Sequence, residues 1–206
     1  MKDRILSLCK RNNGYVTSAM LHEESIPSIY LTRLEEKNML IRVDRGIYTL
    51  PDVIEEPFYI YHLRWPGMIY HKETALYLHN LSNRQFEGFF AVISHDKAIP
   101  RIDDLTIQRT RSKNIDTGAT VVETPYGNLC RCYDKERCIC DLFVYDDFEY
   151  EDKAYAIREY AKHNLDAAKL YDYARKLDVY DKISSLFEVL IWGLKSLRGK
   201  HDADWQ

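Results

Sequence analysis

Residues 15–51 read YVTSAMLHEESIPSIYLTRLEEKNMLIRVDRGIYTLP, and this stretch decides the fold. A capped helix, a short turn, a second helix and a tight hairpin follow one another without a gap. Thr17 or Ser18 caps the first of these helices, expected over Ser18 to Glu24, because a side-chain oxygen there can accept a bond from a free backbone N–H. Ser25-Ile26-Pro27 is the turn. Pro27 suits the first position of the next helix, where its missing N–H leaves nothing unpaired. That helix is expected from Pro27 to Lys37. At about 100° per residue, Tyr30, Leu31 and Leu34 share one side, while Ser28, Ile29, Thr32, Arg33 and Glu36 share the other. In the hairpin, Ile41, Val43 and Ile47 are expected to face the core while Arg42 and Arg45 face out. Arg45-Gly46 marks the tip, where glycine supplies the backbone freedom a tight turn needs.

Working outward, Lys2 to Asn12 is expected as a helix with Ile5, Leu8 and Cys9 on one stripe. Asn13-Gly14 ends it, since both residues tolerate positive φ, and Tyr15-Val16 then forms a short strand. The whole order is that of a winged helix-turn-helix, which lays one helix in a DNA groove. Ser28, Thr32 and Arg33 are then candidate contacts to phosphates and base edges, and Arg42 and Arg45 hold the backbone from the wing. Tyr30 supports the helix or reaches a phosphate. Thr17 and Ser18, at the start of the preceding helix, complete the candidate DNA-binding set. Glu36 on the same face repels phosphate, unless it sits at the far end or accepts from a cytosine amino group. Residues 1–56 carry eight Lys or Arg and nine Asp or Glu. A basic stripe must therefore come from placement rather than excess, and protein docking is a second reading of the same fold.

With 206 residues and 46% hydrophobic content, the chain can build a core without metals or disulfides. Its net charge of −3 argues against indiscriminate coating of nucleic acid. The N-terminus MKDRILSLCKRNN has no apolar run fit for a signal peptide, and no stretch approaches a membrane span, so a cytoplasmic location with reduced thiols is expected. PDVIEEP, residues 51–57, reads as a linker, which divides the chain into a domain at 1–56 and a larger one at 57–206. In the larger part, residues 71–81 (HKETALYLHNL) read as a helix with Ala75, Leu76, Leu78 and Leu81 on its apolar side. Residues 89–94 and 105–109 read as strands. Residues 120–123 and 129–133 flank the turn TPYGN and form a hairpin. Asp134 caps a helix through Phe143. Three further helices are expected over 152–163, 166–177 and 181–194, each opening beside an acidic residue that suits the helix dipole. The fold class is α+β: a winged helix-turn-helix, then a larger mixed α/β domain ending in a helical bundle.

Chemistry is harder to find. Cys130, Cys132, Cys138 and Cys140 form a CxC…CxC pair with enough sulfur for zinc. On a helix, however, Cys138 and Cys140 lie about 200° apart, so packing is expected, with no metal and no cofactor. His71, Glu73 and His79 sit on one predicted helix, where His71 and Glu73 diverge. The chain has no HExxH, glycine-rich phosphate loop or nucleophile elbow, and the adjacent carboxylates Asp103-Asp104 and Asp146-Asp147 point apart, so no catalytic residue and no enzyme activity are expected. Tyr155, Tyr160, Tyr171 and Tyr173 recur at helical spacing, as amphipathic core edges or as an exposed row able to stack bases. Arg158 and Lys162, with Lys169, Arg175 and Lys176 on the next helix, form either a basic patch or ordinary solvated surface, because Asp152, Glu159, Asp166 and Asp172 are interspersed.

Taken together the chain resembles the AbiEi antitoxins of type IV abortive-infection toxin–antitoxin systems. The resemblance rests on the stretch quoted first, on YHKETALYLHNLS, on TPYGNLCRCYDKERCICDLF and on AIREYAKHNLDAAKLYDYARKLDVYDKISSLFEVL. Ser25 stands where relatives often have Gly, Asn38 where they often have Gly after the third helix, and Cys138 where Thr is frequent. The resemblance implies two functions. The winged helix would bind inverted repeats in double-stranded promoter DNA and repress its own operon. The C-terminal domain would counteract a nucleotidyltransferase-like toxin without needing a stable complex with it, in defence against phage, and the basic residues Arg158, Lys162, Lys169, Arg175 and Lys176 are its candidates. A winged-helix interaction module, or a regulator without antitoxin activity, is the alternative.

Overall fold

Helix α1 (Lys2–Arg11) buries Ile5, Leu8 and Cys9, the stripe their spacing predicts. It opens a computed structural model that describes residues 1–97, 102–162 and 166–185. Strand β1 (Tyr15–Thr17) leads into α2 (Ser18–Glu23), and Thr17 rather than Ser18 is the cap, its hydroxyl accepting from Met20 N at 3.1 Å. Ser25 carries the chain out of α2 at φ +55, and Ile26 N donates back to Leu21 O at 2.8 Å. Helix α3 (Ile29–Glu35) starts two residues later than the sequence predicts. Pro27 and Ser28 form tighter i→i+3 turns ahead of it, with Tyr30 N donating to Pro27 O at 3.2 Å and Leu31 N to Ser28 O at 2.9 Å. Proline therefore precedes the helix instead of opening it. Asn38, at φ +54, ends the segment as a left-handed cap.

Strands β2 (Ile41–Asp44) and β3 (Ile47–Thr49) form the wing, and the antiparallel sheet runs β1-β3-β2. Successive residues of a strand point to opposite faces. Val16 and Tyr48 accordingly pack with Ile5, Leu21, Leu31 and Leu34, while Tyr15 and Ile47 pack with Ile60 in a second cluster. Ile41 does not face the core as expected: it is 43% exposed. Leu40, one residue earlier, is buried in its stead, and a register shift between Arg42 and Asp44 breaks the alternation.

The stretch expected as a linker is packed. The Tyr15 hydroxyl donates to Ile54 O at 3.2 Å and accepts from Glu56 N at 3.0 Å. Helix α4 (Pro57–Arg64), which the sequence reading missed, begins on Pro57 and lays Ile60 on Tyr15 and Ile47. Glu56 is fully buried, and its carboxylate accepts from Tyr126 N at 3.1 Å and Asn128 Nδ2 at 2.6 Å. Asn13 Nδ2 donates to Asn128 Oδ1 at 2.9 Å. The chain thus packs as two compact units, one of residues 1–68 with 121–131, the other of residues 69–120 with those from 132 onward.

The second unit is built on a mixed sheet of order β6-β5-β4-β8-β7. Its strands are β4 (Ile69–Tyr70), β5 (Phe89–Ser94), β6 (Leu105–Thr110), β7 (Ala119–Glu123) and β8 (Leu129–Tyr133). β5 runs parallel to β6 and antiparallel to β4, and β4 runs parallel to β8. Helix α5 (Lys72–Leu78) occupies the middle of the predicted 71–81 segment. Asp134 caps α6 (Lys135–Val144) by accepting from Arg137 N at 2.8 Å, as its sequence predicts. α7 (Tyr150–Lys162) and α8 (Ala167–Lys176) follow, with Asp166 capping α8. Residues 180–185 are helical, and the rest of the helix expected over 181–194 lies outside the described residues. Among the described residues no helix is long and apolar enough to cross a membrane.

Candidate nucleic-acid interface

The two faces of α3 sort as its periodicity predicts. Leu31 and Leu34 are buried and Tyr30 half-buried, whereas Ser28, Ile29, Thr32, Arg33 and Glu36 are exposed. Leu31 and Leu34 hold the helix against the first core, which fixes the direction its polar face presents. Arg33 lies 5.4 Å from the centre of the Tyr30 ring. Tyr30 therefore supports the guanidinium from one turn back, the first of the two roles its sequence position allowed.

The wing is short and anchored. Ser18 N donates to Gly46 O at 2.9 Å, tying the tip to the start of α2. Gly46 sits at φ +73, and a Cβ there would stand 3.1 Å from the Ser18 hydroxyl oxygen, so the turn accepts no larger residue without strain. Ser18 is thus a half-buried anchor of the wing and Thr17 a buried helix cap. Both sit beside the candidate surface in the fold's order, but each already has a structural task. Asp44, between the two wing arginines, is paired with Arg64 of α4 and accepts from Arg45 N at 2.6 Å. Its charge is thereby drawn away from Arg42 and Arg45, both of which are exposed. No carboxylate lies within ion-pair distance of Arg33, Arg42 or Arg45 among the described residues. Glu24, in contrast, is held by Arg4 and Arg11 at 3.4 and 3.5 Å. The surplus of acid over base in this segment is neutralised by cations away from α3 and the wing. Ile29, exposed at 52% in the first turn of α3, was read as groove-facing but not counted among the contacts. Its exposure is the signal that adds it, since an apolar side chain there meets the thymine methyl group.

The basic residues of α7 and α8 are differently placed. Lys169 bridges Asp134 and Glu136, at 2.9 Å to each. Lys162 pairs with Glu159 at 2.7 Å and Lys176 with Asp172 at 2.5 Å. Arg158 lies over Tyr155 and Arg175 over Tyr180, at 5.5 and 4.7 Å from the ring centres. The sequence spacing brings the lysines to carboxylates and the arginines to rings. Tyr160 is buried with its hydroxyl on Glu136 at 3.0 Å, a core edge rather than a stacking platform.

The residues that tempted toward chemistry are interior. Cys130, Cys132, Cys138 and Cys140 are all buried free thiols. Burial pushes Cys130 and Cys140 up to about 12, which keeps them as unreactive protonated packing groups. His71 caps α5 through its backbone and is buried, and burial, reinforced by Lys72 and Arg137, pushes its imidazole down to about 3. His79 meets the Tyr133 carbonyl at 2.7 Å. The buried Arg137–Asp141 pair, at 2.7 Å, was not singled out by the sequence reading. Arg137 also donates to the carbonyls of Asn114 and Thr117, at 3.0 and 2.8 Å, and lies 4.1 Å from the centre of the Tyr133 ring. Its i, i+4 spacing with Asp141 was the available signal. Burial holds Asp141 up at about 6 against the pull of Arg137.

No curated protein matches the chain. Residues 3–51, which span α1 through the wing, match the family described as transcriptional regulator, AbiEi antitoxin, and over that segment the resemblance read from the sequence holds.

Proposed function

We propose that the protein is a repressor-antitoxin. Its α3 face and wing bind inverted repeats in the promoter of its own operon, and its second unit opposes a nucleotidyltransferase-like toxin in a type IV, phage-defence setting, inside the cytoplasm. One observation carries the DNA-binding half: Arg33, Arg42 and Arg45 are exposed without a carboxylate partner on elements that the short polar residues Ser28 and Thr32 share. The match over residues 3–51 to a regulator family supports the same reading. Phosphate binding needs cations whose charge is not already answered within the protein, and base reading needs polar side chains free to reach the groove.

The test is a gel shift on the DNA upstream of the gene, against scrambled DNA, at two salt concentrations. Selective retardation that weakens with salt is expected, because released counterions drive the association. Retardation that ignores sequence and salt, or none, rejects the promoter-reading half and moves the winged helix to a docking role. For the antitoxin half, co-expression with the neighbouring gene should restore growth that the neighbour alone arrests. Arg158 and Arg175, held only by rings or by a carboxylate at 4.0 Å, are the cations of that set most available to a target. Growth arrest unrelieved by the full chain rejects it.

A further inference from the structure

The second unit encloses a cavity of about 360 Å³ between α5, the loop over 81–88, the first residues of β5 and β6, and α7. That is the size of a small-molecule site. The cavity shares no residue with the candidate DNA face.

Its lining has two characters. One wall is aromatic: Tyr77 and Phe86 stand 4.9 Å apart between ring centres, Phe86 and Phe89 likewise at 4.9 Å, with Phe148 and Tyr155 beyond them. The polar side carries five carboxylates, Glu73, Glu87, Asp103, Asp104 and Asp152, against one cation, Arg84. Arg84 is already committed, its Nε meeting Asp152 Oδ1 at 2.5 Å. Negative charge therefore dominates the space, and phosphate or carboxylate ligands are repelled from it. Glu73 adds an unmet demand. Its Oε2 is out of contact with water and has no hydrogen-bond partner among the described residues. Burial also raises its carboxyl above the ordinary range. A buried acceptor without a donor is costly, and a donor brought by a ligand removes that cost. A neutral apolar ligand would fill the aromatic side and leave Glu73 unanswered. An ammonium group answers Glu73 and is attracted to ring faces as well.

We infer that this cavity binds a small organic cation, a primary amine on an aromatic body, with the ammonium on Glu73 and the ring against Tyr77, Phe86 and Phe89. The test is calorimetric titration of the full chain with phenethylamine, with the neutral 2-phenylethanol and with phenylacetate. Saturable one-to-one binding of the amine is expected, with the alcohol weaker by about tenfold or more, since a hydrogen bond to a charged group separates them, and no binding of phenylacetate. Glu73→Gln should bring the amine down to the level of the alcohol while leaving the alcohol unchanged. Asp103→Asn, at an exposed position, should lower amine affinity by less and keep the charge preference readable should Glu73→Gln fold poorly. Equal affinity for amine and alcohol, no saturation by the amine, or amine affinity untouched in the folded variants overturns the assignment.

Discussion

Arg33 and Arg45 stand exposed with no carboxylate beside them, whereas Arg137 is buried, shares Asp141 at 2.7 Å and donates to two loop carbonyls. The same side chain thus serves opposite ends in the two units. A guanidinium in water adds little to folding and keeps its charge for a ligand. A guanidinium in the interior organises what surrounds it and has nothing left to offer outside. The difference teaches where to look for function in this chain: in the first unit at cations the fold leaves alone, in the second at carboxylates it leaves unanswered.

The largest expected effect breaks the interior pairing. Arg137→Met removes the cation from Asp141 and orphans the Asn114 and Thr117 carbonyls. Breaking a buried pair from one side costs about 3–5 kcal/mol, measured by denaturant unfolding of the full chain. Arg137→Met with Asp141→Leu should recover much of that loss, because no buried charge is then left alone. A single variant as stable as the parent would show that the pair is not what holds this loop.

Next comes pH. The folded-state value of His71, about 3, lies below its ordinary 6.5. Between those values the unfolded chain holds the extra proton, so the contribution of His71 is complete above about pH 6.5 and is lost as pH falls toward 3. Its ceiling is roughly 5 kcal/mol. Asp141 has the opposite sign: its folded value of about 6 lies above its ordinary 3.8, so its contribution is present below 3.8 and lost as pH rises through 6. His71→Gln should therefore flatten or invert the slope of stability between pH 3 and 6.5. An unchanged slope would mean that the imidazole is not held neutral in the folded state.

The surface arginines come third. Arg33→Ala or Arg45→Ala should weaken operator binding by about 1–3 kcal/mol where the contact is bidentate. Either change should leave stability nearly untouched, since neither removes an ion pair. Wild-type affinity in both would sink the assignment of the α3 face. A loss of stability equal to that of Arg137→Met would erase the contrast between the two units.

How much of this was legible follows from the range of the forces involved. Thr17, Asn38 and Asp134 act on the backbone within a few residues, and the helix ends they cap were readable from the chain. The alternation of α3 was readable for the same reason. Glu56 was not: its partners Tyr126 and Asn128 lie about seventy residues on, so a stretch that reads as a polar tether is buried by groups no local pattern announces. Strand β4 has two residues, too few to show a period, though it holds the centre of its sheet. Ile41 misled because the register shift after it moves the core position to Leu40. On the candidate interface, the exposed set was readable from periodicity. The structural tasks of Thr17 and Ser18, the pairing of Asp44 with Arg64 and the prominence of Ile29 needed the fold.

The smallest effect tests that last residue. Ile29, at the N-terminal end of α3, is positioned as the residues that meet base edges in helix-turn-helix complexes are. If it packs on a thymine methyl, replacing that thymine by uracil in the operator removes one buried methyl, about 0.8 kcal/mol. Ile29→Ala should cost a similar amount on the thymine operator and nothing further on the uracil one, so the two losses do not add. Additive losses would place Ile29 and the methyl in separate contacts. Indifference to uracil at every position, with operator binding otherwise intact, would leave Ile29 as an exposed apolar residue without a part in reading sequence, and base discrimination would then rest on Ser28, Thr32 and Arg33.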